Sequence, residues 1–418
     1  MKHSYFIPTA CLKDFRFFVG CGSNFNQKEG FKPVKKSLDC TIMRGGTSKA
    51  VFLRGEDLPD DKNAKRDIIL QIFGSPDKRQ IDGLGGADPL TSKLAVINKP
   101  TDELSGKADL IYSFGQVEIN VSEVDWYSLC GNITSAVGLY AVQEKFVTPT
   151  APITRVRVYN TNLKRFLYVE VPVENGVPVE HGTYTVPGVP GSGAPILIDF
   201  ADTAGGATGK LLPTGNPIDI VEVDGIGSIE MSIVDLGNAH VFIRALDVGM
   251  SGIETPKQID SDPDLLARLE AIRGAAAVRI GMASVGSAAR KETPATPILG
   301  LVSGPSDYPI ELTGGVISAS EVDVVCRLQF MQQTHKTYAG TSTACTGVAS
   351  RLAGTVVHEM SRPSHKVTLR IGHPAGVIET ESVIQTKNEE NVVKRATLGR
   401  TARRILDGKV YLKNPAKI

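Results

Sequence analysis

Two similar segments, one in each half of the chain, constrain the fold more than any other feature of the sequence. Residues 128–138 read SLCGNITSAVG and residues 343–354 read TACTGVASRLAG, so each half places a cysteine near a glycine and a run of small residues. No strict period relates the halves, which excludes a solenoid. We predict two similar lobes, each pointing one helix at a shared cleft. The N–H groups and positive dipole end of such helices suit carboxylates, and the same field favours a thiolate.

Composition narrows the class of protein further. The 418 residues are enough for two or three domains, and 42 glycines with only 6% aromatic residues indicate many tight turns and close backbone approaches. A net charge of +1 gives no support for a nucleic-acid partner, and no long apolar run predicts a membrane span. Six scattered cysteines without a CxxC pair argue against a zinc ribbon, an iron–sulfur cluster or a disulfide framework, and favour a reducing compartment.

Residues 1–38 are predicted to be an N-terminal extension. They are rich in lysine and phenylalanine, and Asp14 and Glu29 are their only acidic residues. A basic, acid-poor start is compatible with a mitochondrial transit peptide, although such peptides favour arginine and serine. The other interpretation is a plain extension or a wrongly chosen start codon. We therefore expect a cytoplasmic protein, or a mitochondrial one if residues 1–38 are a transit peptide.

The rest of the chain alternates strand-like and helix-like segments. Residues 60–75 and 262–281 carry apolar residues at helical spacing, the first before Gly74 and the second with an aspartate near its start. Residues 130–145 and 345–360 predict helices of small residues, and the second of these is expected to open on Cys345.

Cys130, Cys345 and Lys93 are candidate acid–base residues. A thiol at a helix N-terminus can transfer protons, although a free cysteine is more often a small buried hydrophobe, as expected for Cys326. Lys93 follows a glycine-rich run at residues 81–86, and a lysine in an apolar setting can act as an acid or a base. The alternative for Lys93 is a solvated side chain.

Two further segments combine polar side chains with glycine. The turn at residues 44–49, RGGTSK, can cradle a carboxylate or phosphate, or it is an ordinary hairpin turn. Asn238 could bond a substrate carboxylate, whereas His240 is expected to be structural. The segment GGATGK at residues 205–210 departs from a P-loop, and His358-Glu359 lacks the second histidine of a zinc motif.

Five of these segments, in order, resemble those of a known family. They are MRGGTSKAVFL, QIDGLGGADPLTSKLAVI, CGNITSAVG, GVPGSGAPI followed by TGKLLPTG, and DLGNAHVFI. Together they look like the PrpF-type family of methylaconitate and aconitate isomerases, related to 4-oxalomesaconate tautomerase and methylitaconate isomerase. The resemblance covers about residues 39–418 and leaves the first 38 outside.

The resemblance implies an α+β, diaminopimelate-epimerase-like fold of two pseudo-symmetric lobes, each a curved, mostly antiparallel sheet around a central helix. The first lobe would comprise residues 39–203 and 396–418, and the second residues 204–395. The family has no metal or organic cofactor, and it uses a lysine and a cysteine that correspond here to Lys93 and Cys130. The second cysteine of the wider superfamily precedes Gly-Thr-Gly, whereas Cys345 precedes Thr-Gly, so its role is the weaker expectation. The predicted substrate-binding residues are Arg44, Gly46, Thr47, Ser48, Gly86, Ser92, Gly131, Asn132, Asn238, Thr346 and Gly347.

The expected function is cofactor-independent isomerisation of a small unsaturated tricarboxylate such as aconitate or 2-methylaconitate. Lys93 or Cys130 would remove an allylic proton, and return of the proton would give a cis/trans isomer or a shifted double bond. The alternatives are a keto–enol tautomerase of the 4-oxalomesaconate type and a non-catalytic accessory to an aconitase-type dehydratase. We also expect that the chain can form a homodimer.

Overall fold

The computed structural model of the chain describes residues 34–310, 314–363, 366–387 and 390–417. Its strands are β1 (Val34–Gly45), β2 (Ser48–Arg54), β3 (Lys93–Asn98), β4 (Leu110–Val117), β5 (Val124–Asp125), β6 (Ile153–Asn160), β7 (Arg165–Glu174), β8 (Val177–Pro178), β9 (Tyr184–Thr185), β10 (Ser192–Gly193), β11 (Ile196–Asp199), β12 (Asp219–Val223), β13 (Gly227–Leu236), β14 (Asn238–Arg244), β15 (Ile298–Ser303), β16 (Tyr308–Pro309), β17 (Val316–Ile317), β18 (Val324–Phe330), β19 (Gln333–Thr334), β20 (Thr368–His373), β21 (Gly376–Lys387), β22 (Glu390–Arg400) and β23 (Ala402–Lys417). Its α-helices are α1 (Lys62–Phe73), α2 (Gly131–Gln143), α3 (Pro256–Asp260), α4 (Pro263–Arg279), α5 (Ala289–Glu292), α6 (Gly340–Ala349) and α7 (Val356–Met360).

The first strand begins earlier than the sequence indicated. The predicted extension falls mainly on residues 1–33, which lie outside the described residues. Residues 34–38 belong instead to β1, which pairs antiparallel with β23 from Val34 onward.

The order of strand pairing is repeated in the two halves of the chain. In the first half β1 pairs antiparallel with β2, β2 parallel with β3, β3 antiparallel with β4, and β4 parallel with β6. The strands β13, β14, β15, β18 and β20 repeat these four pairings in the second half. β11 pairs with both β7 and β22, so that one sheet of nineteen strands spans the described residues of both halves. The expected pseudo-symmetry is therefore present, whereas the exact lobe boundaries stay a prediction.

Local sequence explains the peripheral helices. Asp61 caps α1 by accepting from the Ala64 amide, and Gly74 ends the helix in the left-handed conformation that glycine adopts readily. Asp262 caps α4 in the same way, with Pro263 at the first helical position. The helices predicted at residues 60–75 and 262–281 are therefore confirmed.

The two central helices are buried on every side. All residues of α2 from Gly131 to Val142 are buried, and so are all ten residues of α6. Strands of the first half surround α2, while α6 packs on β13, β21 and β22. A helix buried all round has no polar face, which explains its small and apolar composition.

The prediction that the second central helix opens on Cys345 is wrong. This helix begins at Gly340, with Ala339 as its N-cap, and Cys345 lies in its middle. The segment that matches Cys130-Gly131-Asn132 is therefore Ala339-Gly340-Thr341. The repeated small residues allowed two alignments, and only the packing of the helix ends distinguishes them.

Candidate active site

The N-termini of α2 and α6 meet backbone to backbone. A Cβ placed on Gly131 would lie 2.8 Å from the Thr341 amide nitrogen, and one placed on Gly340 would lie 3.0 Å from the Asn132 amide nitrogen. Only glycine permits this approach. Within the described residues, the first three amides of each helix have no hydrogen-bond acceptor. Two sets of N–H groups and two positive dipole ends thus converge on one point, an arrangement that favours bound carboxylates.

A cavity of about 30 Å³ lies at this junction. Residues from both halves line it, among them Lys93, Cys130, Asn132, Phe330, His335 and Thr341. This volume holds a water molecule, but a six-carbon acid needs several times more room. Binding of the expected six-carbon acid in this cavity would require the surrounding segments to move apart.

Lys93 is held in this cavity by a hydrogen bond to a buried amide. Its side chain is 3% exposed, and Nζ donates to Oε1 of Gln116 over 2.6 Å. The side-chain nitrogen Nε2 of Gln116 donates to the carbonyls of Pro89 and Ser92, which fixes the orientation of Oε1 toward Lys93. Burial lowers the pKa of Lys93, and the nearby Cys130, Asp88 and Asp125 oppose that shift. A lowered pKa makes the neutral amine, a base, more accessible.

Cys130 is the N-cap of α2, as predicted. Its thiol is free, partly exposed and among the groups that line the cavity with Lys93. Its carbonyl accepts from the Thr134 amide, so the residue stands at the first turn of the helix. A thiol at this position experiences the positive end of the helix dipole.

Asn132, Thr47 and Ser48 form a polar cluster next to the helix end. Nδ2 of Asn132 donates to Oγ1 of Thr47 at 3.0 Å and to Oγ of Ser48 at 3.5 Å. The tight turn at Gly46 has a φ of +48°, and a Cβ there would be 2.5 Å from Oδ1 of Asn132. Glycine is therefore required for the turn to approach the helix.

Arg400 sets the orientation of this cluster. Its side chain is 1% exposed, and Nε donates to Oδ1 of Asn132 at 2.7 Å. Because a guanidinium has no acceptor, it forces the Asn132 oxygen toward itself and the Asn132 NH2 group toward Thr47 and Ser48. Burial lowers the pKa of Arg400 to about 10, which leaves the group charged at neutral pH.

Asn238 lines the cavity and Arg44 does not, and the side chains of both make hydrogen bonds within the protein. Both amide hydrogens of Asn238 go to protein acceptors, the Leu129 carbonyl and Thr341 Oγ1, and its oxygen accepts from the Leu129 amide. Nη1 of Arg44 donates to the carbonyls of Gly46 and Thr401. Asn238 therefore ties the two halves together, and Arg44 braces the turn.

Gly86 and Ser92 shape a loop and do not line the cavity. Oγ of Ser92 donates to Oε1 of the buried Gln80, which also accepts from the Ala87 amide. A Cβ on Gly86 would lie 2.1 Å from Oγ1 of Thr91. These bonds position the loop that precedes Lys93, and the predicted contact of Gly86 and Ser92 with substrate stays a prediction.

Cys345, Thr346 and Gly347 lie away from the cavity, inside α6. The thiol of Cys345 is fully buried and faces the Val234 carbonyl at 3.7 Å, and burial raises its pKa well above the usual range. Oγ1 of Thr346 bonds the hydroxyl of Tyr338. These residues pack the core, so the structure does not bring them to the cavity that holds Lys93 and Cys130.

His335 lines the cavity, although no sequence pattern singled it out. Nδ1 accepts from the Thr337 amide at 3.1 Å, which leaves the proton of the neutral ring on Nε2. Burial lowers the pKa of His335 to about 4, so the ring is neutral at physiological pH.

The structure also places Gln116 against Lys93 and Arg400 against Asn132. The sequence signals of these two residues are no stronger than those of other polar residues in strands. His240, by contrast, is buried between Asn238 and Ser342, as expected of a structural residue.

An ion pair joins the loop that precedes Lys93 to the segment that carries His335. Nζ of Lys336 lies 2.6 Å from Oδ2 of Asp88, so the contact links the two halves of the chain.

In the described part of the chain, no three His, Cys, Asp or Glu side chains come together as a metal site. Among the same residues, no helix is both long and apolar enough to span a membrane.

Comparisons with known proteins place the chain among isomerases. The profile described as PrpF protein matches residues 35–413. A 3-methylitaconate isomerase from Eubacterium barkeri is 50% identical over 90% of this chain and 97% of its own length. A 2-methyl-aconitate isomerase from Shewanella oneidensis is 34% identical over 92% of this chain and 98% of its own length.

Solved structures agree with the fold expected from the sequence. A crystal structure of methylitaconate-delta-isomerase, 50% identical, matches 91% of this chain and 97% of its own with a TM-score of 0.75. A hydroxyproline epimerase from Agrobacterium vitis, 10% identical, matches 91% of this chain and 94% of its own with a TM-score of 0.54. The second likeness concerns the fold alone. The diaminopimelate-epimerase-like fold is confirmed.

Proposed function

The chain belongs to the PrpF family of isomerases, and from that premise we propose that it moves the double bond of a methyl-substituted unsaturated dicarboxylate of the 3-methylitaconate type. The observation that carries the proposal is the junction of two helix N-termini beside Lys93 and Cys130. Two sets of unpaired amides can receive two carboxylates, and the acid–base pair lies in the same cavity. The sequence led us to expect a tricarboxylate, but the relative at 50% identity is named for methylitaconate.

The proposed reaction is a 1,3-proton shift. The C3 hydrogen of 3-methylitaconate is acidified by its own carboxylate and by the adjacent double bond. Lys93 or Cys130 removes this proton, and the electron pair delocalises into an extended dienolate. The other group protonates the terminal methylene carbon, which becomes a methyl group, and the product is dimethylbutenedioate. The proton balance is kept because one group gains the proton that the other gives.

The helix ends stabilise the negative charge of the dienolate. The amides of Gly131 and Asn132, together with those of Gly340 and Thr341, are already oriented and need no rearrangement during the reaction. Asn132, which Arg400 orients, holds the hydroxyl groups of Thr47 and Ser48 next to the helix end. In this proposal the charge stabilisation comes from the protein alone, and no metal or organic cofactor takes part.

The test is proton NMR of the purified protein in D2O with 3-methylitaconate. Loss of the two methylene signals and deuterium in the new methyl group are expected. cis-Aconitate, 2-methylaconitate and 4-oxalomesaconate complete the panel, the last testing the keto–enol alternative. Faster turnover of any of these three would refute the proposed substrate class.

Variants assign the acid–base roles. Cys130→Ser and Lys93→Met should each lower kcat by about 10²- to 10⁴-fold, because each removes one proton-transfer group. Cys40→Ser is the matched control, since Cys40 is a buried thiol on β1 in a separate core cluster. Near-normal turnover by either active-site variant would contradict its assignment.

A further inference from the structure

The repeated topology assigns a counterpart in the second half to each acid–base residue of the first. Lys93 opens β3 and pairs with Ala50 of β2. In the equivalent strands Ile298 opens β15 and pairs with His240 of β14. Ile298 therefore occupies the place of Lys93.

The partners of Lys93 have counterparts as well. Lys93 pairs across the sheet with Gln116, and the register of Leu299 with Gln329 places Phe330 opposite Ile298. Phe330 is thus the counterpart of Gln116. At the helix starts, Ala339 is the counterpart of Cys130.

The three positions held by Lys93, Gln116 and Cys130 in the first half are therefore apolar in the second. Ile298, Phe330 and Ala339 all line the cavity, and the Phe330 ring centre lies 5.4 Å from Nζ of Lys93. The acid–base groups and this apolar set therefore line one cavity, in which Phe330 lies next to Lys93. None of the three side chains can donate or accept a hydrogen bond.

We propose that Ile298, Phe330 and Ala339 form a specificity wall that receives the methyl-bearing side of the substrate and rejects a carboxylate at that position. The inference rests on the proposed function and deepens it. A carboxylate packed against these three side chains would lose hydration without gaining a hydrogen bond from them, whereas a methyl group is stabilised there. A methyl group in an apolar pocket changes selectivity by roughly 10- to 200-fold.

The test is the ratio of kcat/KM for 3-methylitaconate to kcat/KM for itaconate, which lacks the methyl group. We expect a wild-type ratio of about 10 or more, and a ratio reduced at least about tenfold in Phe330→Gln and Ala339→Ser. A ratio also cancels any general loss of active protein. Ala339→Ser changes only one atom of the side chain, so it serves if Phe330→Gln does not fold.

Phe73→Leu is the matched control, because Phe73 is a fully buried ring in a different core cluster and should leave the ratio unchanged. Ratios within about twofold of wild type in both wall variants would overturn the proposal. Calorimetry of methylsuccinate and succinate binding tests the specificity wall separately from the proposed isomerisation, because neither acid can react. If no acid is isomerised but the binding ratio falls in the variants, the proposed function fails and the wall stands.

Discussion

Gly131→Ala tests whether the contact between the two helix ends controls activity. The new Cβ would lie 2.8 Å from the Thr341 amide nitrogen and 3.0 Å from both the Gly340 carbonyl carbon and the Phe200 ring. Two of these three neighbours are backbone atoms, which cannot rotate away. To reach the 3.4 Å at which ordinary contacts begin, the helices must separate by about 0.6 Å, the difference between 3.4 and 2.8 Å.

That displacement has two expected costs. Insertion of a methyl group into a close-packed contact lowers the free energy of unfolding by about 1–3 kcal/mol. It also moves one set of amides relative to the other, and a misplacement of about 1 Å can cost about 100-fold in rate. We therefore expect kcat on 3-methylitaconate to fall roughly 10- to 100-fold.

The assay combines urea unfolding with steady-state kinetics by NMR. Gly304→Ala is the control, since the nearest atom to its added Cβ is the Met360 carbonyl oxygen at 3.9 Å. This control should keep both stability and kcat. If Gly131→Ala keeps kcat within about threefold of wild type and loses no stability, the reasoning about the helix contact is refuted.

Four further predictions follow from the same contacts. Cys345→Ala should keep kcat within about threefold and lose about 1 kcal/mol in urea unfolding, because the thiol packs the core. Gln116→Leu removes the acceptor of Lys93 and should lower kcat by roughly tenfold with little change in succinate binding. Arg400→Met should raise KM about tenfold or more. The double variant Arg400→Met/Asn132→Ala should have the same KM as Asn132→Ala alone, because Arg400 acts through Asn132. Additive increases in KM would contradict that role. Burial lowers the pKa of His240 and of His335 to about 4. The unfolded chain therefore binds more protons below about pH 6.5, and each histidine should cost roughly 2 kcal/mol of stability in urea unfolding at pH 5 relative to pH 7.5. Glu118, whose pKa burial raises to about 7, acts in the opposite direction, so the histidine contribution is measured as the difference between wild type and His335→Gln. An unchanged pH dependence in that variant would contradict the last prediction.

Much of the fold and part of the site followed from local sequence. The aspartate caps of α1 and α4 and the glycine stop of α1 act within a few residues, so local spacing alone predicted both helices. The motifs that resemble the family identified Lys93 and Cys130, and the structure brings both to one cavity. The repeated small-residue segments predicted two central helices, since only a helix buried on all sides tolerates that composition.

The tertiary structure decided which polar groups have hydrogen bonds to spare. Local sequence does not indicate that the side-chain amide of Asn238 is hydrogen-bonded to the backbone of Leu129, which lies 109 residues away. Arg400 gave no local signal because it acts on Asn132 across 268 residues. The start of the second central helix at Gly340 likewise depends on its contact with Gly131. Sequence by itself determined which chemical groups and local elements the chain contains. Long-range packing decided which of those groups keep hydrogen-bonding capacity for a ligand, because a hydrogen bond already made within the protein cannot also be offered to a ligand.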